Sequence, residues 1–260
     1  MELAYQSYGA GEPLIILHGL FGARDNWHTL SRKLGARYHV FAVDQRNHGN
    51  SPHSDRFDYD VMAEDLHAFV EQHGLQHVNV MGHSMGGKTA MQFALRYPAC
   101  LARLIVADIA PKAYPAHHDE IFDAMCALDL AALHTRQELD SALAPRVPDT
   151  ATRQLIMKNV GRDEHGAFTW KLNLDAIKQN YDAILGNIAG DGPFLKPTLF
   201  MRGELSNYVQ ASDEPAIRRL FPEAQIVTVS GAGHWIHAEK PAEVLKIVED
   251  FLEGNKGTRE

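Results

Sequence analysis

Short apolar runs alternate with amphipathic stretches along most of the chain. Leu14 to Leu17, His39 to Val43, His77 to Val80, Leu101 to Ala107, Thr198 to Met201 and Ile226 to Val229 read as buried strands. Because these runs are continuous rather than alternating, the sheet they predict is covered on both faces, as parallel strands joined by helices are. Helical periodicity fills the intervals at Trp27 to Leu34, closed by Gly35, at Val61 to His73, closed by Gly74, at Met85 to Tyr97, stopped by Pro98, and at Pro241 to Phe251, with proline in its first turn. The pattern predicts an α/β fold with a mostly parallel central sheet between helices. It breaks once. From Lys112 to Leu195 the chain has helical patterns but no convincing strand, which predicts a helical cap inserted after the strand ending at Asp108. The expected organisation is a core domain of residues 1–111 and 196–260 with a cap at 112–195, and a tail over residues 254–260 that frays.

Composition narrows the class. A chain of 260 residues with 45% hydrophobic and 22% charged positions has the makeup of a globular protein with one large core. The net charge of −8 and the lack of any basic run argue against nucleic acid as partner. The two cysteines, Cys100 and Cys126, sit in no CxxC or Cys/His cluster, so neither a disulfide framework nor a metal site is expected, and a cytoplasmic location fits best. The N-terminus lacks a basic segment followed by an apolar one, and no run approaches the ~18 apolar residues of a membrane span. The oligomeric expectation is a monomer or homodimer.

Candidate chemistry begins at Gly82-His83-Ser84-Met85-Gly86, a G-x-S-x-G pattern between a predicted strand and a predicted helix. A sharp strand-to-helix turn projects its central residue from the sheet edge, and small residues two positions to either side let the chain close. A serine hydroxyl there needs a base to take its proton. Among fifteen histidines, His234 stands out, because Gly231-Ala232-Gly233-His234-Trp235 follows the last predicted strand and precedes the final helix. His117, His118, His134 and His165 read as solvated. The third member, a carboxylate that holds the imidazole tautomer, is assigned to Asp108, which ends the strand after the Ser84 unit and emerges at the same sheet edge. The order Ser84, Asp108, His234 results. In Asp44-Gln45-Arg46, an Asp44–Arg46 pair is expected to brace a loop beside the serine turn.

HGLFG at 18–22, DQRNHGNS at 44–51, GHSMGG at 82–87, DIAP at 108–111 and GAGHW at 231–235 together resemble the α/β-hydrolase superfamily, over nearly the whole chain. The resemblance implies a nucleophile at Ser84, oxyanion-binding amides at Leu20 (chosen over Phe21) and Met85, and no cofactor. In many members of this fold the acid follows the strand after the cap, where this chain has Met201-Arg202-Gly203-Glu204-Leu205-Ser206-Asn207 with Ser206 in the acid place. A neutral hydroxyl does not replace a carboxylate, so Ser206 is expected to hydrogen-bond His234 in a secondary role, with Glu204 a weaker alternative acid. Asp108 in DIAP combined with Ser206 looks like the YbfF-type bacterial esterases, and implies a triad of Ser84, Asp108 and His234 acting on short acyl esters and on thioesters such as acyl-CoA.

The leading expectation is therefore a serine esterase with a small-molecule ester or thioester substrate and no membrane partner. A carbon–carbon bond hydrolase or perhydrolase on the same fold, and a catalytically silent binding module, are the alternatives. Dehalogenase and epoxide hydrolase chemistry calls for a carboxylate where Ser84 stands. The cap reads as too small for a deep lipid tunnel, and no Lys/Arg cluster is visible for the phosphates of acyl-CoA. Phe122, Met125, Leu128, Leu130 and Leu133 recur at helical spacing, facing the acyl pocket or, as the favoured use, the core of the cap.

Overall fold

The computed structural model describes residues 1–254. The chain opens with strands β1 (Tyr5–Tyr8) and β2 (Glu12–Leu17), a 3-10 turn at Arg24–Trp27, and helix α1 (His28–Leu34). Then follow β3 (Tyr38–Val43), α2 (Tyr59–Gln72), β4 (Val78–His83), α3 (Met85–Arg96) and β5 (Leu101–Ala107). Helices α4 (Asp119–Cys126), α5 (Arg136–Leu143) and α6 (Thr150–Lys158), strands β6 (Val160–Arg162) and β7 (Phe168–Trp170), and helices α7 (Leu174–Gln179) and α8 (Tyr181–Leu185) come next. The chain then returns through β8 (Thr198–Gly203), α9 (Glu214–Leu220), β9 (Ala224–Val229), α10 (Ile236–Glu239) and α11 (Pro241–Leu252).

Seven strands form one sheet in the order β1-β3-β2-β4-β5-β8-β9, parallel except for β1, which runs antiparallel to β3. Successive side chains of a strand point to opposite faces. Leu14 and Ile16 accordingly join α1 and α11 in one apolar cluster, while Ile15 and Leu17 join α2 and α3 in the other. Both faces are covered over the central strands, which is why those read as unbroken apolar runs; β9, expected to be buried, is instead the edge strand, with Ile226 and Val227 half-buried and Thr228 exposed.

Three strands were not expected. β1 is the sequence YQSY, largely exposed at the sheet edge, and its polarity hides it. β6 and β7 form a small antiparallel hairpin inside the stretch expected to be only helical. Asp163 closes its turn by accepting the amides of His165 and Ala167, and Gly166 takes a φ of 82°. The residues of the frayed-tail expectation beyond Gly254 lie outside the described ones. Among the described residues no helix is long and apolar enough to cross a membrane.

The stretch between β5 and β8 is tied to the rest of the chain by named contacts. Tyr59 Oη donates to the Ile184 carbonyl at 2.7 Å, Asn159 Nδ2 to the Phe21 carbonyl at 2.6 Å, and Gln92 Nε2 to the Ala189 carbonyl at 2.9 Å. Phe122, Met125 and Leu130 are buried within the apolar cluster that runs through this stretch, and none of the five residues of that helical spacing borders the cavity described below.

Candidate active site

One residue separates β4 from α3, and that residue is Ser84, with φ 52° and ψ −120°. An L-residue at positive φ is strained, and such strain persists only where neighbours impose it. Here the Ser84 amide donates to the Ala107 carbonyl at 3.0 Å, and a Cβ on Gly82 would overlap the Gly86 carbonyl. A Cβ on Gly86 would stand 2.5 Å from the His18 carbonyl oxygen. From Val78 to Ala94 every residue is buried except Ser84, which is half-buried. The turn thus exposes one hydroxyl at the C-terminal edge of the sheet.

Asp108 follows β5 at the same edge, also at positive φ (49°), and is fully buried. Its amide donates to the Met201 carbonyl at 2.8 Å. Its Oδ1 accepts the Gly203 amide at 2.8 Å, and its Oδ2 accepts His234 Nδ1 at 2.7 Å and the Ser206 hydroxyl. Ser206 therefore bonds the carboxylate rather than the imidazole it was expected to touch. The reason is geometric: the loop after β8 passes beside β5, so its hydroxyl meets the side chain that emerges from that neighbouring strand. Glu204 turns away and accepts the Gly231 amide (2.6 Å) and the Ser230 hydroxyl (2.8 Å), bonds that hold its carboxyl below the usual range.

His234 sits on the loop after β9. Its carbonyl accepts His83 Nε2 at 2.9 Å, its ring stacks on Tyr208 at 3.8 Å, and Glu239 accepts the amides of both flanking residues, Gly233 and Trp235. Burial holds His83 well below its ordinary pKa, so it is a neutral donor beside the turn. Among the described residues no hydrogen bond joins Ser84 Oγ to the His234 ring. In free enzymes this contact is commonly long and tightens when substrate arrives.

The loop 18–22 follows β2. His18 donates from Nδ1 to the Gly19 carbonyl (2.9 Å) and accepts the Gln45 amide at Nε2 (3.0 Å), with burial lowering its pKa to about 4. Leu20 and Met85 both border the cavity at Ser84, and among the described residues neither amide has a partner. Phe21 points its ring at Phe122 and His118 instead.

Asp44 and Arg46 do not pair with each other. The chain turns at Arg46 after leaving β3, so the two side chains diverge: Asp44 meets Arg24 at 3.2 Å and the Asn50 amide at 3.0 Å, whereas Arg46 meets Asp65 of α2 at 2.5 Å. Both still brace the loop.

A cavity with about 340 Å³ free of protein atoms, partly open to solvent, lies above Ser84 between the sheet edge and residues of the 112–195 stretch. His117 and His118, expected to be solvated, border it. His118 Nδ1 lies 2.6 Å from Tyr181 Oη, and burial lowers its pKa to about 3; His117 is exposed but bonds Tyr208 Oη at 2.6 Å. Lys88, one helical turn after Ser84, also borders the cavity and was not singled out by sequence reasoning. A lysine four residues after Ser84, among the small residues Gly86, Gly87, Thr89 and Ala90, is the signal that marks it.

A family model described as alpha/beta hydrolase fold matches residues 12–135. The sn-1-specific diacylglycerol lipase ABHD11 of Mus musculus is 41% identical over 247 residues, covering 92% of this chain and 80% of that protein. Esterase YbfF of Escherichia coli (strain K12) is 33% identical over 251 residues, covering 95% of each. A solved structure described as a marine microorganism esterase superposes with a TM-score of 0.94 at 43% identity, over 96% of this chain and 99% of that one.

Proposed function

This chain belongs to the α/β-hydrolase family and is a hydrolase of the esterase/lipase type, and from that premise we propose that it is a serine esterase cleaving short-chain carboxylic esters, and acyl thioesters, through an acyl-serine intermediate. The reading is supported above all by the Asp108 Oδ2 to His234 Nδ1 bond at 2.7 Å on the sheet edge that carries the Ser84 turn.

With Nδ1–H held by Asp108, His234 presents Nε2 as the base. Ser84 Oγ attacks the carbonyl carbon as Nε2 takes its proton, and the carbonyl oxygen gains negative charge. The amides of Leu20 and Met85 donate to that oxygen. Collapse breaks the bond to the leaving alcohol or thiol, which takes the proton from Nε2. Water then gives its proton to Nε2 and attacks the acyl carbon, and collapse returns the proton to Ser84 and releases the acid. The Asp108 carboxylate stabilises the imidazolium that forms. Ser206 orients Asp108 rather than touching reacting atoms.

A fluorophosphonate probe tests the assignment: the wild-type protein labels, and Ser84→Ala does not. Failure of the folded wild-type protein to label returns the silent-module alternative. A second reading, hydrolysis of a glycerolipid, is favoured by the 41% identity to the diacylglycerol lipase. A series of 4-nitrophenyl esters separates the two, since turnover rising steadily with acyl length sinks the short-chain preference. Acyl-CoA thioesters run beside the series decide ester against thioester.

A further inference from the structure

Lys88 is 1% exposed, and burial alone pushes its amine down to about 7. Its backbone amide donates to the Ser84 carbonyl at 3.1 Å, so the side chain rises one turn, about 5.4 Å, along α3 from the nucleophile turn. Nζ donates to the carbonyls of Gly186 (2.6 Å) and Leu185 (3.2 Å) at the end of α8. An ammonium has three N–H groups, so one is left over. The rings of Tyr114 (4.9 Å) and Tyr59 (5.5 Å) lie near it. Among the described residues, none that borders the cavity carries a carboxylate.

Holding the cap down does not require this charge. Gln92, one turn further along α3, does the same work as a neutral group, donating to the Ala189 carbonyl at 2.9 Å and accepting the Ala189 amide at 3.1 Å. A buried ammonium costs desolvation that a glutamine avoids, and carbonyls and phenol rings leave its charge without a counterion. The partner that the cavity lacks is an anion.

We propose that Lys88 is a specificity-determining residue that receives a carboxylate on the acyl part of the substrate, so that the preferred substrates are half-esters of short dicarboxylic acids. The inference deepens the esterase reading and rests on it for turnover, but not for binding. Groups facing the amine do not compete with this role. Tyr59 and Tyr114, both pushed upward by burial, remain neutral phenols, and His118, across the cavity, is held neutral.

The test compares 4-nitrophenyl hemisuccinate with 4-nitrophenyl butyrate in wild-type and Lys88→Gln protein. The ratio of kcat/KM for the anionic over the neutral ester is expected to fall by about ten- to a hundredfold in Lys88→Gln, the equivalent of one hydrogen bond between charged partners, with most of the change in KM. An unchanged ratio, with both esters slowed alike, overturns the proposal and leaves Lys88 a strut. Binding to Ser84→Ala protein supplies the second measurement. Methyl hydrogen succinate is expected to raise the melting temperature more than methyl butyrate does, and more at about pH 6 than at about pH 8.5, where the amine has lost its proton. Equal shifts for the two ligands overturn the proposal even if Lys88→Gln fails to fold. Wild-type protein that binds the half-ester but hydrolyses no ester refutes the esterase reading and leaves the anion site standing.

Discussion

Asp108→Asn is the substitution whose outcome the geometry constrains most tightly. The carboxylate accepts three hydrogen bonds through two oxygens: Gly203 N–H at Oδ1, and His234 Nδ1–H and the Ser206 hydroxyl at Oδ2. An amide has one oxygen. With that oxygen toward His234, its NH2 opposes the Gly203 amide, and two donors meet in a fully buried site at a cost of about 1–3 kcal/mol. Turned over, its NH2 donates to His234 Nδ1, which moves the imidazole proton to Nε2, where the ring can no longer accept from Ser84. Both orientations remove the negative charge that stabilises the imidazolium. We expect kcat/KM on 4-nitrophenyl butyrate to fall by about 10³ to 10⁴, as when a triad aspartate becomes asparagine in serine proteases, which corresponds to about 4–5.5 kcal/mol of transition-state stabilisation. Ser206→Ala removes one donor from Oδ2 and leaves the His234 bond in place, so its expected loss is no more than about tenfold. Initial rates for both variants, measured beside their melting temperatures, carry the comparison. A greater loss for Ser206→Ala than for Asp108→Asn, or an Asp108→Asn enzyme within tenfold of wild type, refutes the assignment of Asp108.

Three further outcomes follow from burial and close approach. His18, His48 and His237 are buried, and burial lowers them from 6.5 to about 4, about 3 and about 3. The unfolded chain therefore binds protons that the folded chain refuses. Stability is complete above pH 6.5 and declines as pH falls toward those lowered values, by at most about 1.4 kcal/mol per pH unit for each histidine. The urea midpoint at about pH 5 is expected well below that at about pH 7.5, and a flat profile would contradict the burial argument. Gly82→Ala drives a Cβ into the Gly86 carbonyl, so soluble yield and melting temperature should both drop, by more than the roughly 1–3 kcal/mol of ordinary overpacking. Asp65→Asn leaves Arg46, only 7% exposed, without its carboxylate. A loss of about 3–5 kcal/mol by urea denaturation is expected, and a change under about 1 kcal/mol would show the pair to be dispensable.

Much of the architecture was written locally. The apolar runs that became β2, β3, β4, β5, β8 and β9, and the Gly82-His83-Ser84-Met85-Gly86 turn between a strand and a helix, depend on burial and on steric room within a few residues. His234 was legible for the same reason, as it stands on a glycine-rich loop between the last strand of the sheet and the closing helices. Polar edge elements were not legible. β1 is held by backbone pairing to β3 across a strand with no apolar face of its own, and the three-residue strands of the cap hairpin are too short for any period to show.

Side-chain partnership across distant segments was decided by tertiary structure. Asp44 and Arg46 stand two residues apart yet pair with Arg24 and Asp65, and Ser206 meets Asp108 because β8 lies beside β5. Residues 112–195 fold over the sheet edge and bring Lys88, His117 and His118 around one cavity with Ser84, a neighbourhood invisible along the chain. Residue type and local spacing determined which groups have the capacity for chemistry, because backbone sterics and apolar periodicity act over one or two turns. Which groups touch, and in what electrostatic surroundings, was set only when strands far apart in sequence packed edge to edge and buried polar side chains between them.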